Sequence, residues 1–203
     1  VAKITGITRK TANPFVNLYE LDRESKTGKK GKYYVASRAK EERELKLKSH
    51  TLHPDGVVIY SLYGEAQDKV VLIRQYRYSI DDYVYEFPAG LVERGEDYRE
   101  TAVREMKEET GLTFVPASVS EAYEKPAFTT IGLTDECCAT VFGIASGEIS
   151  GDYQEDTEEI EVVLADREEA KRILREENTA IMCSYMLMHF IHDEEPFGFL
   201  KEL

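Results

Sequence analysis

The sequence predicts an α/β (α+β) protein, a mixed domain preceded by a small N-terminal antiparallel β subdomain. Three observations carry this. The first fifty residues hold only short alternating runs broken by turn residues, β-branched runs begin at Val57, and a long charged stretch ending at Thr110 reads as a helix set among strands. With 203 residues, 42% hydrophobic and 32% charged, the chain fills one sizeable core, or one domain with a small appendage.

In the N-terminal part, residues 2–7, 15–21 and 33–36 read as strands separated by turns such as Lys26-Thr27-Gly28-Lys29. A few short strands are marginal alone and their edges want a partner, so residues 1–45 are expected to form a dimerisation arm. Residues 46–203 form the main domain. Residues 57–62 and 70–76 flank the turn Gly64-Glu65-Ala66-Gln67-Asp68 as a hairpin, and residues 83–87 make a short strand stopped by Pro88. A helix over residues 96–110 ends at Gly111, the residue type that a left-handed C-terminal cap requires. Strands are expected near residues 113–118, 137–144 and 160–164. Asp166 and Glu169 form a capping pair for a helix to about Glu177, and residues 180–192 form a last helix, apolar on most sides.

Charge excludes several partners. The 26 basic and 39 acidic residues give −13, which argues against binding a nucleic-acid backbone, while small phosphorylated ligands stay compatible with a few local cations or a divalent metal. The chain has no apolar run of about 18 residues, and its first ten residues lack the apolar centre of a signal peptide, so a cytoplasmic protein without membrane contact is expected. Cys137, Cys138 and Cys183 lack Cys-x-x-Cys spacing and read as small buried hydrophobes in a reducing compartment.

The chemistry gathers on the central helix. At about 100° per residue, Glu105, Glu108 and Glu109 share one stripe beside the apolar face of Tyr98, Ala102, Val103 and Met106. Like charges at that spacing repel, and partial desolvation worsens the repulsion, so a cation belongs there; a hard divalent ion such as Mg²⁺ suits oxygen ligands. Taken alone, the stripe fits better a solvated acidic face balanced by Arg104 and Lys107, since charge runs usually lie on the surface.

The stripe does not stand alone. Gly90, five residues, Glu96, seven residues, Arg104-Glu105-Met106, one residue, Glu108-Glu109, one residue and Gly111-Leu112 resemble the Nudix box at every fixed position. Residue usage alone would produce this pattern about once in a hundred thousand chains or less. Read physically, Gly90 lets the preceding chain turn sharply through backbone angles closed to other residues. Glu96 sits near the positive end of the helix and can pair with Arg104, which then holds a glutamate in place, while Gly111 ends the helix and Leu112 anchors the next strand.

The resemblance implies an α/β/α sandwich around a mixed sheet and hydrolysis of a nucleoside diphosphate linked to another moiety, with Mg²⁺ or Mn²⁺ required. Mapped by motif, Glu105 and Glu109 are the metal ligands, with Glu108 close by and the Ala89 carbonyl contributing. The metals would neutralise the diphosphate and activate the attacking water.

The flanks resemble the ADP-ribose pyrophosphatase subfamily. Gln75-Tyr76-Arg77, then Glu86-Phe87-Pro88-Ala89-Gly90, Pro126 fifteen positions beyond Gly111, and Thr134-Asp135-Glu136 carry the likeness. It implies cleavage of ADP-ribose to AMP and ribose 5-phosphate by a homodimer. Arg77 is the candidate diphosphate or terminal-ribose contact, and Glu86 joins it as a substrate-binding candidate; Arg74 lies an odd number of residues from Arg77 and points to the opposite face. Glu136 is the candidate general base, with Glu108 as its competitor.

Some members of the subfamily use N-terminal tryptophans to hold adenine. This chain has none, so Tyr33, Tyr34, Phe15 and Tyr19 are the stacking candidates in the arm, and each also fits packing on its own sheet. Another nucleotide sugar or dinucleotide, such as GDP-mannose, and a non-catalytic ADP-ribose-binding Nudix module are the alternatives; RNA decapping is disfavoured by charge. His189 and His192 lack a third ligand and read as packing or surface residues. Glu158 or Glu159, in the acidic run 152–161, are further candidates to approach the metals.

Overall fold

The alternation that marks the strands sorts their side chains onto two faces. In a computed structural model that describes residues 1–154 and 159–201, the elements follow in this order. The first part holds β1 (Lys3–Arg9), β2 (Asn17–Glu24), β3 (Lys30–Ser37) and a one-turn helix α1 (Lys46–Ser49). Next come β4 (Gly56–Tyr63), β5 (Lys69–Arg77), β6 (Asp82–Glu86), β7 (Ala89–Leu91) and α2 (Tyr98–Thr110). Then follow β8 (Thr113–Pro116), α3 (Glu121–Glu124), β9 (Ala127–Phe128), β10 (Cys137–Ser146), β11 (Ile160–Ala165), α4 (Arg167–Glu176) and α5 (Ile181–His192).

Two compact units divide the chain. The first joins Val1–Asp55 to Pro126–Cys138, and the second joins Gly56–Lys125 to Ala139–Leu203. In the first, β1, β2 and β3 pair antiparallel in that order, with Tyr19 opposite Val35 and Leu21 opposite Tyr33. One face of this sheet buries Tyr19, Leu21 and Val35 with Leu45, the small apolar cluster expected of a short-stranded arm. The Tyr19 hydroxyl donates to the Ala39 carbonyl at 2.9 Å. β9 pairs with the first residues of β10, Phe128 opposite Cys137.

The large mixed sheet runs β11-β5-β4-β10-β8, with β6 on β5 and β7 on β4. The hairpin read from residues 57–76 is present, Leu62 pairing Val70 across its turn. β4 and β10 run parallel: Asp55 N donates to Cys137 O at 2.8 Å and Gly64 N to Ala145 O at 2.9 Å, so the register advances in one direction on both chains. Odd and even positions of β4 face different helices. Val57 and Ile59, with Val71 and Val141, pack on Ala102 and Met106 of α2; Tyr60 and Leu62, with Val70, Leu72 and Phe142, pack on Ile173 of α4 and on Leu187 and Phe190 of α5. Helices on both faces make the second unit the α/β/α sandwich that the sequence resemblance implies. Each fully buried Leu or Ile contributes about 1.5–3 kcal/mol, so the two clusters fix which side of the sheet α2 occupies.

Two helix starts refine the reading. α2 begins at Tyr98 because the Asp97 carboxylate accepts the Arg99 N–H at 2.9 Å and caps it, which leaves Glu96 outside the helix. At α4, Asp166 accepts from both Glu168 N and Glu169 N, whereas Glu169 turns to Arg172 instead of returning to the cap.

Candidate active site

The second unit sets the box glutamates around two backbone residues. α2 buries Ala102 and Met106, one turn apart, so the positions beside that face, 105 and 109, are drawn inward with it. Glu109 is only 3% exposed, and its Oε2 accepts the Ala89 N–H at 3.1 Å. The Glu105 carboxylate lies against Gly90 of β7: a Cβ placed on Gly90 would stand 1.8 Å from Glu105 Cδ. Two carboxylates thus converge on Ala89-Gly90, where β7 pairs with Val57 and Val58 of β4.

Gly90 therefore has a role different from the one expected. Positive φ angles occur at Gly28, Gly64, Gly95, Gly111 and Gly147, and Gly90 is absent from that set, so its missing side chain matters for the space given to Glu105. Gly111 does carry the expected left-handed cap, φ 75°, with its N–H donating to Lys107 O, and a Cβ there would also meet Ser150 N at 2.5 Å. Leu112 behind it is fully buried.

Arg104 ties the carboxylates together. Its Nε and Nη2 each donate to one oxygen of Glu96 at 3.0 Å, its Nη1 donates to Glu105 at 2.8 Å and Glu108 at 2.9 Å, and Nη2 also reaches the Leu91 carbonyl at 3.2 Å. The bidentate bond from Arg104 holds the Glu96 carboxyl down at about 2. One guanidinium thus gathers three carboxylates, and Glu109 on the same helix adds a fourth, a set of oxygen donors of the kind that suits a divalent cation.

The donors are carboxylate oxygens, the right kind for Mg²⁺ or Mn²⁺. Among the described residues, no group of three or more His, Cys, Asp or Glu side chains is gathered as a ready-made cage. Magnesium does not demand one, because it is commonly held by one or two carboxylates together with water and substrate phosphates. Glu105 and Glu109 fit that role.

Elsewhere in the second unit, Arg77 at the end of β5 donates from Nε to Glu86 Oε1 at 2.7 Å and from Nη2 to Glu86 Oε2 at 2.8 Å. The two substrate-binding candidates are thus joined in a fork across β5 and β6. Arg74 has different partners: its guanidinium stacks 3.8 Å from the centre of the Tyr83 ring, and Nη1 lies 3.5 Å from Glu161. Glu159 accepts from the Tyr83 hydroxyl, and Glu158 lies outside the described residues.

Glu136 belongs to the first unit. Its Oε1 accepts from Arg38 Nε at 2.9 Å and its Oε2 from Thr129 Oγ1 at 3.1 Å. Tyr33 donates its hydroxyl to the Gly132 carbonyl at 2.7 Å, and Tyr34 donates to Glu20 at 2.8 Å, although both rings stay about half exposed. Tyr19 is fully buried in the arm's own core and offers no face to a base, whereas Phe15 is 74% exposed.

Sequence reading missed Arg38, which stands 98 residues from its partner and carries no local signal. It also missed Gln154, whose side-chain amide donates to the Glu109 carbonyl at 2.7 Å and braces the end of α2. The thiols are packing groups: Cys183 is 1% exposed, and burial pushes both it and Cys138 up to about 12. His189 pairs with Asp193 at 3.3 Å and stacks near Phe199.

The NUDIX domain family model matches residues 52–184, which spans the hairpin, Ala89-Gly90 and all of α2. The chain belongs to the Nudix family. Nudix hydrolases generally use divalent metal ions, in keeping with the donor set on α2. Among curated relatives, this Nudix chain is 44% identical over 59 residues to a methanol dehydrogenase activator of Bacillus methanolicus, covering 29% of this chain and 31% of that protein. It is 33% identical over 84 residues to an ADP-ribose pyrophosphatase of Bacillus subtilis, covering 41% of this chain and 42% of the relative. The chain thus spans less than half the length of either relative. A crystal structure of an ADP compounds hydrolase shares the fold with a TM-score of 0.56 over 86% of this chain and 83% of its own, at 17% identity. Among the described residues, no helix is long and apolar enough to cross a membrane.

Proposed function

We propose that this Nudix chain is a Mg²⁺-dependent pyrophosphatase that hydrolyses ADP-ribose to AMP and ribose 5-phosphate, acting in the cytoplasm as a homodimer. The observation that carries the reading is the convergence of Glu105 and Glu109 on Ala89-Gly90, with Arg104 holding Glu105 and Glu108. The similarity to an ADP-ribose pyrophosphatase supports the substrate.

In this reading Glu105 and Glu109 hold the metal, with Glu108 and the Ala89 carbonyl contributing, and Mn²⁺ can replace Mg²⁺. When bound, the ion neutralises the diphosphate and lowers the pKa of the attacking water. Arg104 does not touch substrate; it keeps two glutamates in one orientation, and Glu96 fixes Arg104 in turn. Arg77, oriented by Glu86, meets the diphosphate or the terminal ribose. Glu136 accepts the proton of the attacking water, with Glu108 as the competing base. Residues 1–45 supply the dimer contact and the stacking side chains Tyr33, Tyr34 or Phe15, ahead of a Nudix domain over residues 46–203.

A second reading, hydrolysis of another nucleotide sugar such as GDP-mannose, is favoured by the absence of tryptophan from the sequence and by the burial of Tyr19, which removes one of the four stacking candidates. Product identification with Mg²⁺ across ADP-ribose, GDP-mannose, dinucleoside polyphosphates and capped RNA tests both. Preferential formation of AMP and ribose 5-phosphate is expected. Binding of ADP-ribose without turnover of any compound would overturn the hydrolase in favour of a sensor.

A further inference from the structure

The segment that carries Glu136 is built onto the N-terminal strands. Ala36 of β3 donates its N–H to the Leu133 carbonyl at 2.9 Å, and Ala36 forms a parallel bridge with Thr134. Two residues further along each chain stand Arg38 and Glu136, so the same parallel register brings them side by side. Other bonds hold the segment to the same unit: Lys46 N donates to Asp135 Oδ2 at 3.1 Å, Cys137 N to Asp55 Oδ2 at 2.9 Å, and the Tyr33 hydroxyl to Gly132 O.

We propose that Arg38 is the positioning residue of Glu136. The inference rests on the reading above in which Glu136 takes the proton from water. A carboxylate on a loop has free torsions, and proton transfer in the transition state needs its oxygen within hydrogen-bond reach of the attacking water. Here each oxygen has its own donor. Arg38 Nε fixes Oε1 with a charge-assisted bond and Thr129 Oγ1 fixes Oε2, so rotation about the last torsion is blocked from both sides. Arg38 follows directly on β3, near whose end Val35 and Ser37 are buried. The Glu136 side chain keeps 27% of its exposure, enough to meet water.

The geometry distinguishes this role from a direct substrate contact through a double-mutant cycle on the whole chain, with kcat and KM for ADP-ribose hydrolysis measured in Mg²⁺. Glu136→Gln should lower kcat strongly. Arg38→Ala should lower kcat about tenfold or more and leave KM within about twofold, because the lost effect belongs to the transition state. Arg38→Lys, which restores one charge-assisted donor, should recover part of kcat. In the Glu136→Gln background, adding Arg38→Ala should change kcat less than about twofold, since the group it positions is gone. Thr129→Val gives a milder perturbation of the same carboxylate, with a smaller fall in kcat and KM unchanged; circular dichroism checks that each variant is folded.

A rise in KM at constant kcat for Arg38→Ala, or an equal loss in both backgrounds, would overturn the proposal and make Arg38 a substrate contact. Full kcat in Arg38→Ala and Thr129→Val beside an impaired Glu136→Gln would reject the positioning role alone. Full kcat in Glu136→Gln would reject the base assignment and, with it, this inference.

Discussion

The carboxylate of Glu105 occupies the space that a side chain at Gly90 would need, with Glu105 Cδ 1.8 Å and Oε1 1.9 Å from the position of an added Cβ. Gly90→Ala should therefore act at a distance of fifteen residues in sequence. The backbone angles at position 90 admit alanine, so the effect is steric: Glu105 must leave β7, at about 1–3 kcal/mol of overpacking. Thermal unfolding should show that loss. Activity should fall at least tenfold, by roughly the effect of misplacing one reacting group. The pair Gly90→Ala with Glu105→Ala should regain stability without regaining activity, which separates crowding from loss of the carboxylate.

Arg104 and Glu96 make stability depend on acid. The Arg104 fork depresses the Glu96 carboxyl from 4.5 to about 2, so the folded state binds its proton less readily than the unfolded chain. This contribution is fully present above pH 4.5 and is lost as the pH falls towards about 2. Denaturant unfolding followed between those limits should show stability declining with acid. Arg104→Ala should flatten that segment of the curve, and an unchanged slope would refute the assignment.

The three cysteines should resist thiol reagents in the folded protein. Cys138 and Cys183 are pushed up to about 12 by burial, and Cys137 is raised for the same reason, so at pH 8 each stays a thiol. Titration with an aromatic disulfide should find almost no rapid reaction before denaturation and three equivalents after it. Fast native labelling of any one would contradict the packing role.

Arg77 presents a planar fork to Glu86 with bonds of 2.7 and 2.8 Å. Arg77→Lys keeps the charge and loses the fork, so KM for the preferred nucleotide should rise about tenfold through loss of one charge-assisted contact. Glu86→Gln should give a smaller change in the same direction, because it loosens Arg77 without removing it. Equal KM values for wild type and Arg77→Lys would remove Arg77 from the substrate site.

Much of this arrangement is legible in the sequence. The box residues lie within one loop and one helix, so spacing alone brought Glu105, Glu108 and Glu109 to one face, and the cap at Gly111 followed from residue type. The hairpin of β4 and β5 was equally plain, since a polar turn separates two β-branched runs. Short elements escaped: β7 has three residues and no alternation to show, while α1 and α3 are single turns. The start of α2 is legible only to within a residue or two: Asp97, a preferred N-cap residue, takes the cap and leaves Glu96 outside the helix. Arg38 beside Glu136 and Glu109 on the Ala89 amide come from strand register and from core packing of α2, and both are set by residues distant in sequence.

The proposed metal-dependent hydrolysis of a diphosphate depends on Glu105 and Glu109 together. The most direct measurement follows ADP-ribose hydrolysis against Mg²⁺ concentration for wild type, Glu105→Gln and Glu109→Gln, with products identified. Wild type should release AMP and ribose 5-phosphate only with the metal, and each folded variant should lose activity by about a hundredfold or more, as expected when transition-state charge loses a fixed partner. Folded variants that hydrolyse ADP-ribose at the wild-type rate would contradict the account.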